Sequence, residues 1–281
     1  MDVAINLATQ HASSFQDFPG KKLSAIALGR CPLLSTWEPM PTTLFARRLR
    51  EAIGLSPEDH GALKSLRVTE RTIGNRELLC REGDVARHCT VVISGFLAKY
   101  KIIGDREQIL ALHVSGDFPD LQTLQLRTLD HNIISIGRSR IGQISISELQ
   151  GLLDARPSLA HVFWRETLIE AAIFREWVCN VAARDASGNI AHLICELAAR
   201  LEAVGMVQDD SFQIPLTQQD IANASGISAV HVNRTLRDLR NRNLMSWENR
   251  TIRLLDFDGL KKVADFHPDY LHLGLRDRPH R

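Results

Sequence analysis

The C-terminal fold is decided by residues 216–240, which read LTQQDIANASGISAVHVNRTLRDLR. Thr217 and Asp220 have the spacing of a capping box, in which each side chain accepts a hydrogen bond from the other residue's backbone at the start of a helix. Gly226 follows several small residues, and glycine takes the left-handed conformation that a tight turn requires. Ser228 is then placed to cap a second helix. The stretch therefore predicts two helices joined by a short glycine turn.

The second helix has two contrasting faces. Val232, Leu236 and Leu239 fall at the spacing i, i+4 and i+7, which predicts that they face the core of their domain. In the major groove, arginine can bond guanine and asparagine can bond adenine through paired hydrogen bonds. The pattern favours a DNA-reading helix, and the alternative is a helical hairpin with a solvated basic face. The opposite face carries Val230, Asn233, Arg234 and Arg237, with Ala229 and His231 at its N-terminal end.

A short hairpin is predicted to follow the second helix. Residues 246–255 read SWENRTIRLL, and Glu248-Asn249-Arg250 is the expected turn because asparagine tolerates left-handed dihedral angles. From residue 228 to residue 253, six arginines are opposed by two acidic residues, which leaves a local charge of +4 suited to a phosphate backbone. These features predict a winged helix-turn-helix that binds double-stranded DNA. The candidate contact residues are Thr217, Gln218, Gln219, Ser228, Ala229, Val230, His231, Asn233, Arg234, Arg237 and Arg250.

Length and composition set the class of protein. With 281 residues, 44% hydrophobic side chains and a net charge of +1, the chain is expected to form two soluble domains. Its apolar runs are shorter than the roughly 18 residues that span a bilayer, and residues 1–20 lack the basic start and apolar run of a signal peptide. We therefore expect a cytoplasmic protein with no membrane partner.

Neither a cofactor, a metal site nor an active site is expected. The five cysteines, at positions 31, 80, 89, 179 and 195, are too scattered for a disulfide framework, a zinc site or an iron–sulfur cluster. His88, His113 and His131 are expected to be structural or exposed, with haem or metal binding as the alternative. The sequence offers no nucleophile–base pair or phosphate loop that would support catalysis.

Residues 67–147 have the texture of an antiparallel β-domain. Short apolar or alternating runs cover residues 91–93, 96–103, 109–114, 133–136 and 141–146. Turn signals separate these runs at Gly83-Asp84, Ser94-Gly95, Gly104-Asp105 and Ser115-Gly116-Asp117. The regular alternation of short strands and tight turns predicts a sandwich or barrel.

The N-terminal segment has a different character. Residues 1–43 contain several prolines and no sustained periodicity, so they are predicted to form a disordered extension. Folding is expected to begin near Thr43, which would cap a helix that reaches Ile53. Ser56-Pro57-Glu58 then combines a cap with a proline at the first position of a second short helix.

A long helix is predicted to begin at Pro157, after a short helix around Leu149. Apolar residues recur at helical spacing over about 25 residues, or roughly 38 Å. A helix of this length is expected to pair with a second copy of itself, and the alternative is a helix packed only on its own β-domain. A break at residues 185–188 and another amphipathic helix over residues 190–204 follow. The predicted pairing seam comprises Leu159, Val162, Phe163, Ile169, Ile173, Trp177 and Val181.

Together these segments resemble the Crp/Fnr family of bacterial transcription regulators over roughly residues 44–273. The resemblance implies an α+β fold with four parts. They are a jelly-roll-like antiparallel β-roll of the cyclic-nucleotide-binding type at 44–156, a dimerisation helix at 157–183, a winged helix-turn-helix at 184–273 and a tail at 274–281. It also implies a homodimer on promoter DNA that works with RNA polymerase. The segments that carry the resemblance are Arg81-Glu82-Gly83-Asp84, Ser94-Gly95, Gly116-Asp117, the long helix, residues 216–222 and His231-Val232-Asn233-Arg234-Thr235-Leu236.

Two departures from the family pattern bear on function. Members that bind cyclic AMP hold its phosphate with a Gly-Glu element and a later Arg-Ser or Arg-Thr pair. The corresponding segments, Gly116-Asp117-Phe118-Pro119-Asp120-Leu121 and Asp130-His131-Asn132, lack that arginine and would repel a phosphate. We expect no cyclic AMP binding, and Asp117, Asp120 and His131 are the candidate positions for another effector. Val230 stands where well-known members carry a base-reading glutamate, so a different operator is expected.

Two functional hypotheses follow. The first is a homodimeric DNA-binding regulator in which a signal at the β-roll changes the aim of the two recognition helices. Such a signal must bind one dimer arrangement better than the other. The second is a β-roll module that senses a ligand, haem or redox state and controls a protein partner through its helices. The arginine and asparagine face and the wing favour the first hypothesis.

Overall fold

The computed structural model describes residues 55–273. The predicted extension at 1–43, the predicted helix that begins near Thr43 and the predicted tail at 274–281 lie outside the described residues. In the described part of the chain, no helix is long and apolar enough to cross a bilayer.

The N-terminal part of the described chain is an antiparallel β-roll. It begins with helix α1 (Pro57–Lys64), where Ser56 Oγ accepts a hydrogen bond from Asp59 N at 3.0 Å, as the sequence predicted. Five strands follow: β1 (Thr69–Ile73), β2 (Leu78–Cys80), β3 (His88–Ile103), β4 (Arg106–His113) and β5 (Asn132–Ser145). Their order in the sheet is β1-β5-β3-β4, and β2 pairs separately with β5. The predicted antiparallel sheet is confirmed.

Strand β3 corrects one predicted turn. Ser94-Gly95 kinks a single 16-residue strand instead of separating two, and the pairing with β5 shifts register on either side of Ser94. Gly95 has a φ of 91°, and a Cβ there would lie 2.8 Å from the Cα of Ser139 on β5. The glycine thus allows a bulge and a close approach to the neighbouring strand.

Strand β5 is also continuous where the sequence suggested two strands. It runs through Gly137, which has a φ of 75° and packs so closely that an added Cβ would lie 2.7 Å from the Cβ of Pro215. The sequence patterns did not predict strands β1 and β2. Most β1 side chains are exposed and β2 has three residues, so neither shows apolar alternation.

Three helices follow the β-roll, and the third of them is the first element of the C-terminal domain. They are α2 (Ile146–Ala155), α3 (Pro157–Ala183) and α4 (Ala186–Ala203). The 27-residue α3 begins at Pro157 as predicted. Helix α4 begins earlier than predicted, because Asp185 caps it by accepting a hydrogen bond from Gly188 N at 2.7 Å. Residues 186–188 are therefore the first turn of α4 and not part of a break.

Helix α3 has apolar side chains on two faces. One face is buried within the chain, where the ring of Phe163 meets that of Phe118 edge-on with centroids 5.6 Å apart. The predicted seam is therefore wrong in part, since Leu159, Val162, Phe163 and Trp177 pack inside the chain. Periodicity could not separate the two faces, because each shows spacings of three and four. The face that remains exposed carries Trp164, Leu168, Phe174, Val178 and Val181.

The C-terminal domain combines helices with a small sheet. Its elements after α4 are β6 (Ser211–Gln213), α5 (Gln218–Ser225), α6 (Ala229–Asn241), β7 (Met245–Glu248), β8 (Thr251–Leu254) and α7 (Phe257–Ala264), followed by a 3-10 turn (Pro268–Leu271). The strands pair in the order β6-β8-β7. Helices α5 and α6 and the β7–β8 hairpin form the predicted winged helix-turn-helix, and β6 is a strand that the sequence did not reveal.

Candidate nucleic-acid interface

The first helix of the motif, α5, begins and ends as the sequence predicted. Thr217 Oγ1 accepts from Asp220 N at 3.1 Å, and Asp220 Oδ2 accepts from Thr217 N at 2.8 Å, which completes the capping box. Gly226 ends the helix in the left-handed conformation, with φ 69° and ψ 21°. Ile221 and Ala222 are buried, so α5 lies close to its neighbours through small apolar side chains.

The second helix, α6, has the two predicted faces. Ser228 Oγ caps it by accepting from His231 N at 3.2 Å. Val232, Leu236 and Leu239 are buried in the domain core. Ala229, which the sequence placed at the exposed end, is half-buried and packs against that core. The exposed face of α6 is defined by Val230, Arg234 and Arg237.

Polar side chains on and beside this face form hydrogen bonds with one another. Arg234 Nη2 and His231 Nε2 are 3.1 Å apart, so the guanidinium can donate to the imidazole. Asn233 Nδ2 donates to Gln218 Oε1 on α5 at 3.1 Å, and Arg237 Nη2 donates to Asn233 Oδ1 at 3.4 Å. The structure thus brings five of the predicted contact residues together, two of them in one hydrogen-bonded pair and three in another group. A second predicted residue of α5, Gln219, is turned away from this set and donates to Asn223 at 2.8 Å.

The wing completes the surface. Its two-residue turn is formed by Asn249 and Arg250, whose φ values of 49° and 64° are both left-handed, as a tight hairpin turn requires. A groove lined by Gln218, Trp247 and Arg250 runs between the wing and the two helices. Arg240 also lines this groove, and the sequence analysis missed it. Its spacing of three residues after Arg237 was the signal that could have found it.

The predicted effector residues are engaged within the chain. Asp117 Oδ2 accepts from Val114 N at 2.8 Å and from Arg200 Nη2 at 2.6 Å. Asp120 accepts from Thr90 N at 2.8 Å, and burial raises the pKa of its carboxyl to about 7. His131 Nδ1 lies 2.7 Å from Asp130 Oδ1, and burial lowers the pKa of its imidazole. Each of the three side chains therefore already has a partner within the chain.

A cleft of about 70 Å³ lies where the β-roll, α3 and α4 meet. Asp117 is one of its lining residues, together with His113, Glu170 and Arg200. Burial holds the pKa of His113 well below its usual range, and its Nε2 lies 3.6 Å from Glu170 Oε1. The cleft is much smaller than the roughly 300–1,000 Å³ of typical small-molecule pockets.

Buried polar contacts join the β-roll to the C-terminal domain at this cleft. Arg200 of α4 donates to Asp117, to Glu196 Oε1 at 3.0 Å and to the Leu112 carbonyl at 2.8 Å. Glu196 also accepts from the indole of Trp177 on α3 at 3.1 Å and from the hydroxyl of Tyr270 at 2.9 Å. The β-roll, the long helix α3 and the C-terminal domain therefore share one hydrogen-bonded cluster.

The cysteines and histidines form no site among residues 55–273. No group of three or more histidine, cysteine or acidic side chains in that range is arranged to hold a metal ion. The thiols of Cys80, Cys89 and Cys195 are free, and burial raises the pKa of each to about 12. Cys179 is free and exposed, and Cys31 lies outside the described residues. The raised pKa values disfavour the thiolate form of these three cysteines, which is the reactive one.

Two family models match the chain. The Cyclic nucleotide-binding domain matches residues 70–156, and the Crp-like helix-turn-helix domain matches residues 189–263. Together they cover more than half of the chain. Each match coincides with a part of the structure described above, the first with the β-roll and the second with α4 to α7.

Characterised relatives are regulators of transcription. The chain is 24% identical to the transcriptional activator protein FnrA of Stutzerimonas stutzeri over 213 residues, which are 75% of this chain and 87% of that protein. It is 26% identical to the cAMP-activated global transcriptional regulator CRP of Salmonella typhimurium, over 63% of this chain and 85% of that protein. FixK2 from Bradyrhizobium japonicum has a similar fold, with a TM-score of 0.65, 21% identity and coverage of 70% of this chain and 98% of that chain.

Proposed function

Since the chain belongs to the Crp/Fnr family of transcription regulators, we propose that it binds operator DNA as a homodimer and that its β-roll receives a signal. The observation that carries the proposal is the surface of α6. Arg234 and Arg237 are exposed on one face of this helix, while Val232 and Leu236 anchor the opposite face in the core. A helix presented in this way fits the major groove.

Each predicted contact residue has a role in the proposed complex. Arg234 and Asn233 read base edges one turn into α6, with His231 and Val230 beside them. Arg237 and the wing residue Arg250 bind phosphates. The N-terminal ends of the two helices, which carry the positive end of each helix dipole, lie against the phosphates of the DNA. The residues at those ends are Thr217, Gln218, Gln219, Ser228 and Ala229.

The second copy is proposed to cover the exposed face of α3. Five large apolar side chains on one helix face are unusual for a monomer surface. Paired along this face, two chains would present their α6 helices to successive turns of the major groove, about 34 Å apart. The operator would then consist of two inverted half-sites, because a two-fold dimer reads the same sequence twice.

The proposal also covers the kind of signal and the partner in transcription. The sequence 116–121 lacks the phosphate-binding arginine, and Asp117 is already paired with Arg200, which favours a signal other than cyclic AMP. Several relatives are activators by name, so a bound dimer of this chain is proposed to contact RNA polymerase. The role is regulatory and not enzymatic.

The proposal is tested by selecting bound sequences from a pool of random duplexes with the full-length chain. We expect an inverted repeat, and we expect the affinity for it to fall steeply as salt is raised. A variant with Arg234→Ala and Arg237→Ala together should lose the selected sequence. Arg87→Ala, which removes an exposed arginine of the β-roll, is the matched control and should behave like the wild type. Selection of no sequence by the wild-type chain would contradict the proposal.

A further inference from the structure

Val230 is an apolar side chain in an unusual position. It is 82% exposed, which is the largest exposed fraction among the large hydrophobic residues that the structure describes. It lies in the first turn of α6, two residues after the cap Ser228. Most exposed apolar side chains need no explanation. This one stands at the end of a helix whose other exposed residues are polar, and its neighbours suggest what it meets.

Val230 lies on the same face of α6 as Arg234. The two residues are four apart, so their side chains are neighbours on the helix surface. Val232, by contrast, points into the domain core. If Arg234 reaches a base edge, Val230 is carried to the floor of the same groove about one helical turn, or 5.4 Å, away. That distance corresponds to one or two base pairs.

The chemistry of valine limits what it can read. It has no donor or acceptor, so it cannot form the hydrogen bonds that identify guanine, adenine or cytosine. The major groove contains one apolar group, the C5-methyl of thymine. Valine is also stiff at χ1 and therefore loses little conformational freedom on contact. A groove position next to Val230 is most favourable when it contains that methyl group.

We propose that Val230 selects a thymine through its C5-methyl group, one or two base pairs from the pair that Arg234 contacts. The inference rests on the proposed function, because it requires α6 to lie in the major groove. It adds a specific base and a specific residue to that function. It also predicts that the operator differs at this position from one read by an acidic side chain, which would accept from cytosine.

The test changes a single methyl group. In the operator obtained by selection, each thymine is replaced in turn by deoxyuridine, which keeps the hydrogen-bonding groups and lacks the methyl. For the wild-type chain, we expect one substitution per half-site to weaken binding about fourfold, the factor that corresponds to roughly 0.8 kcal/mol for a buried methyl group. For Val230→Ala, thymine and deoxyuridine at that site should bind within about 1.5-fold of each other.

Two further variants separate the outcomes. Val230→Thr keeps one methyl group and should retain part of the thymine preference. Arg234→Ala should lose the preference at a different base pair and keep the preference for thymine. Because Val230 is exposed, Val230→Ala should keep the wild-type thermal midpoint. If no deoxyuridine substitution matters, or if the same one still matters in Val230→Ala, the inference is wrong while operator binding stands. If the chain selects no operator, both the inference and the proposed function fail.

Discussion

Arg200 offers the sharpest test of how the two domains are held together, through the substitution Arg200→Met. The guanidinium is buried and donates to Asp117, Glu196 and the Leu112 carbonyl at 2.6–3.0 Å. Burial opposes its charge, but the two carboxylates hold the pKa of Arg200 above its ordinary value. Methionine has a similar length and no charge, so the change removes the cation while largely filling its space.

The expected loss of stability is large. Removing one partner of a buried ion pair costs about 3–5 kcal/mol, because the remaining charge stays buried without compensation. In Arg200→Met two carboxylates and one carbonyl lose their donor. For a chain of this size such a loss lowers the thermal midpoint by roughly 10 °C. Arg71→Met is the matched control, since Arg71 pairs with Glu77 at 2.6 Å on the surface and an exposed pair contributes about 0–1 kcal/mol.

The loss should also depend on pH. Burial already raises the pKa of Glu196, and Arg200 is the strongest influence that lowers it. Without Arg200 the folded Glu196 binds its proton more tightly than the unfolded chain does. An acid whose folded pKa is raised stabilises the fold at low pH, and this stabilisation is lost as the pH rises through the folded pKa. The deficit of Arg200→Met should therefore be smaller at pH 5 than at pH 8.

The assay is urea unfolding at both pH values, followed by tryptophan fluorescence, to which Trp177 beside Glu196 contributes. A loss of less than about 1 kcal/mol in the free energy of unfolding at pH 8 would be no larger than the contribution of an exposed ion pair. It would refute the reasoning about the buried cluster. An equal deficit at pH 5 and pH 8 would refute the part of it that concerns Glu196.

Three further predictions follow from the same structure. Leu168→Asp places a charge in the proposed dimer face, so light scattering should show monomers. The control is Leu126→Asp, which should leave the dimer intact, because Leu126 is 58% exposed and Leu168 is 54% exposed. Arg234→Ala should cost about 1–3 kcal/mol per half-site and relax one base preference, while Arg237→Ala should weaken all sequences equally and reduce the salt dependence; an Arg234→Ala chain with full preference would place another residue in the groove. Because burial raises the pKa of Asp120 from 3.8 to about 7, the stability of the wild type should fall as the pH rises across that interval, and Asp120→Asn should flatten the unfolding profile.

The helix-turn-helix could be predicted residue by residue because its determinants are local. The capping box at Thr217, the left-handed Gly226 and the cap at Ser228 each involve groups within four residues of one another. Gly95 shows where local reasoning ends. A glycine with positive φ serves a turn or a bulge equally well, and the backbone of Ser139, far away in sequence, decides between them.

The long helix and the sensor residues required the tertiary structure for a different reason. Both apolar faces of α3 have helical spacing, and only the position of the β-roll shows which face is left for a partner. Asp117 stood out in the sequence as part of an acidic loop without an arginine. The structure supplies an arginine from 83 residues further along the chain, where no motif connects Arg200 to that loop.

The two ends of α5 are fixed by different parts of the protein, and this arrangement bears on how a signal could reach DNA. At the N-terminal end, Arg76 of the β-roll donates to Asp220 Oδ1 at 3.1 Å. At the C-terminal end, the side chain of Asn189 donates to the carbonyls of Asn180 on α3 and Ser225 on α5, at 3.0 and 3.2 Å. The β-roll therefore contacts one end of α5 directly, and Asn189 of α4 links the other end to the long helix.

Helix α6 is packed on α5, so the orientation of the reading face follows that of α5. In the proposed function, a signal that shifts the β-roll against α3 would move the two contacts of α5 relative to each other and tilt α5. The free energy for this tilt can come only from a signal that binds the two arrangements with different affinity. Gly226 lies close to the end of α3. An added Cβ there would lie 3.2 Å from Val181 Cγ1. A Cβ at position 226 would therefore require Val181 to move, and glycine avoids this clash between α3 and the turn from α5 to α6.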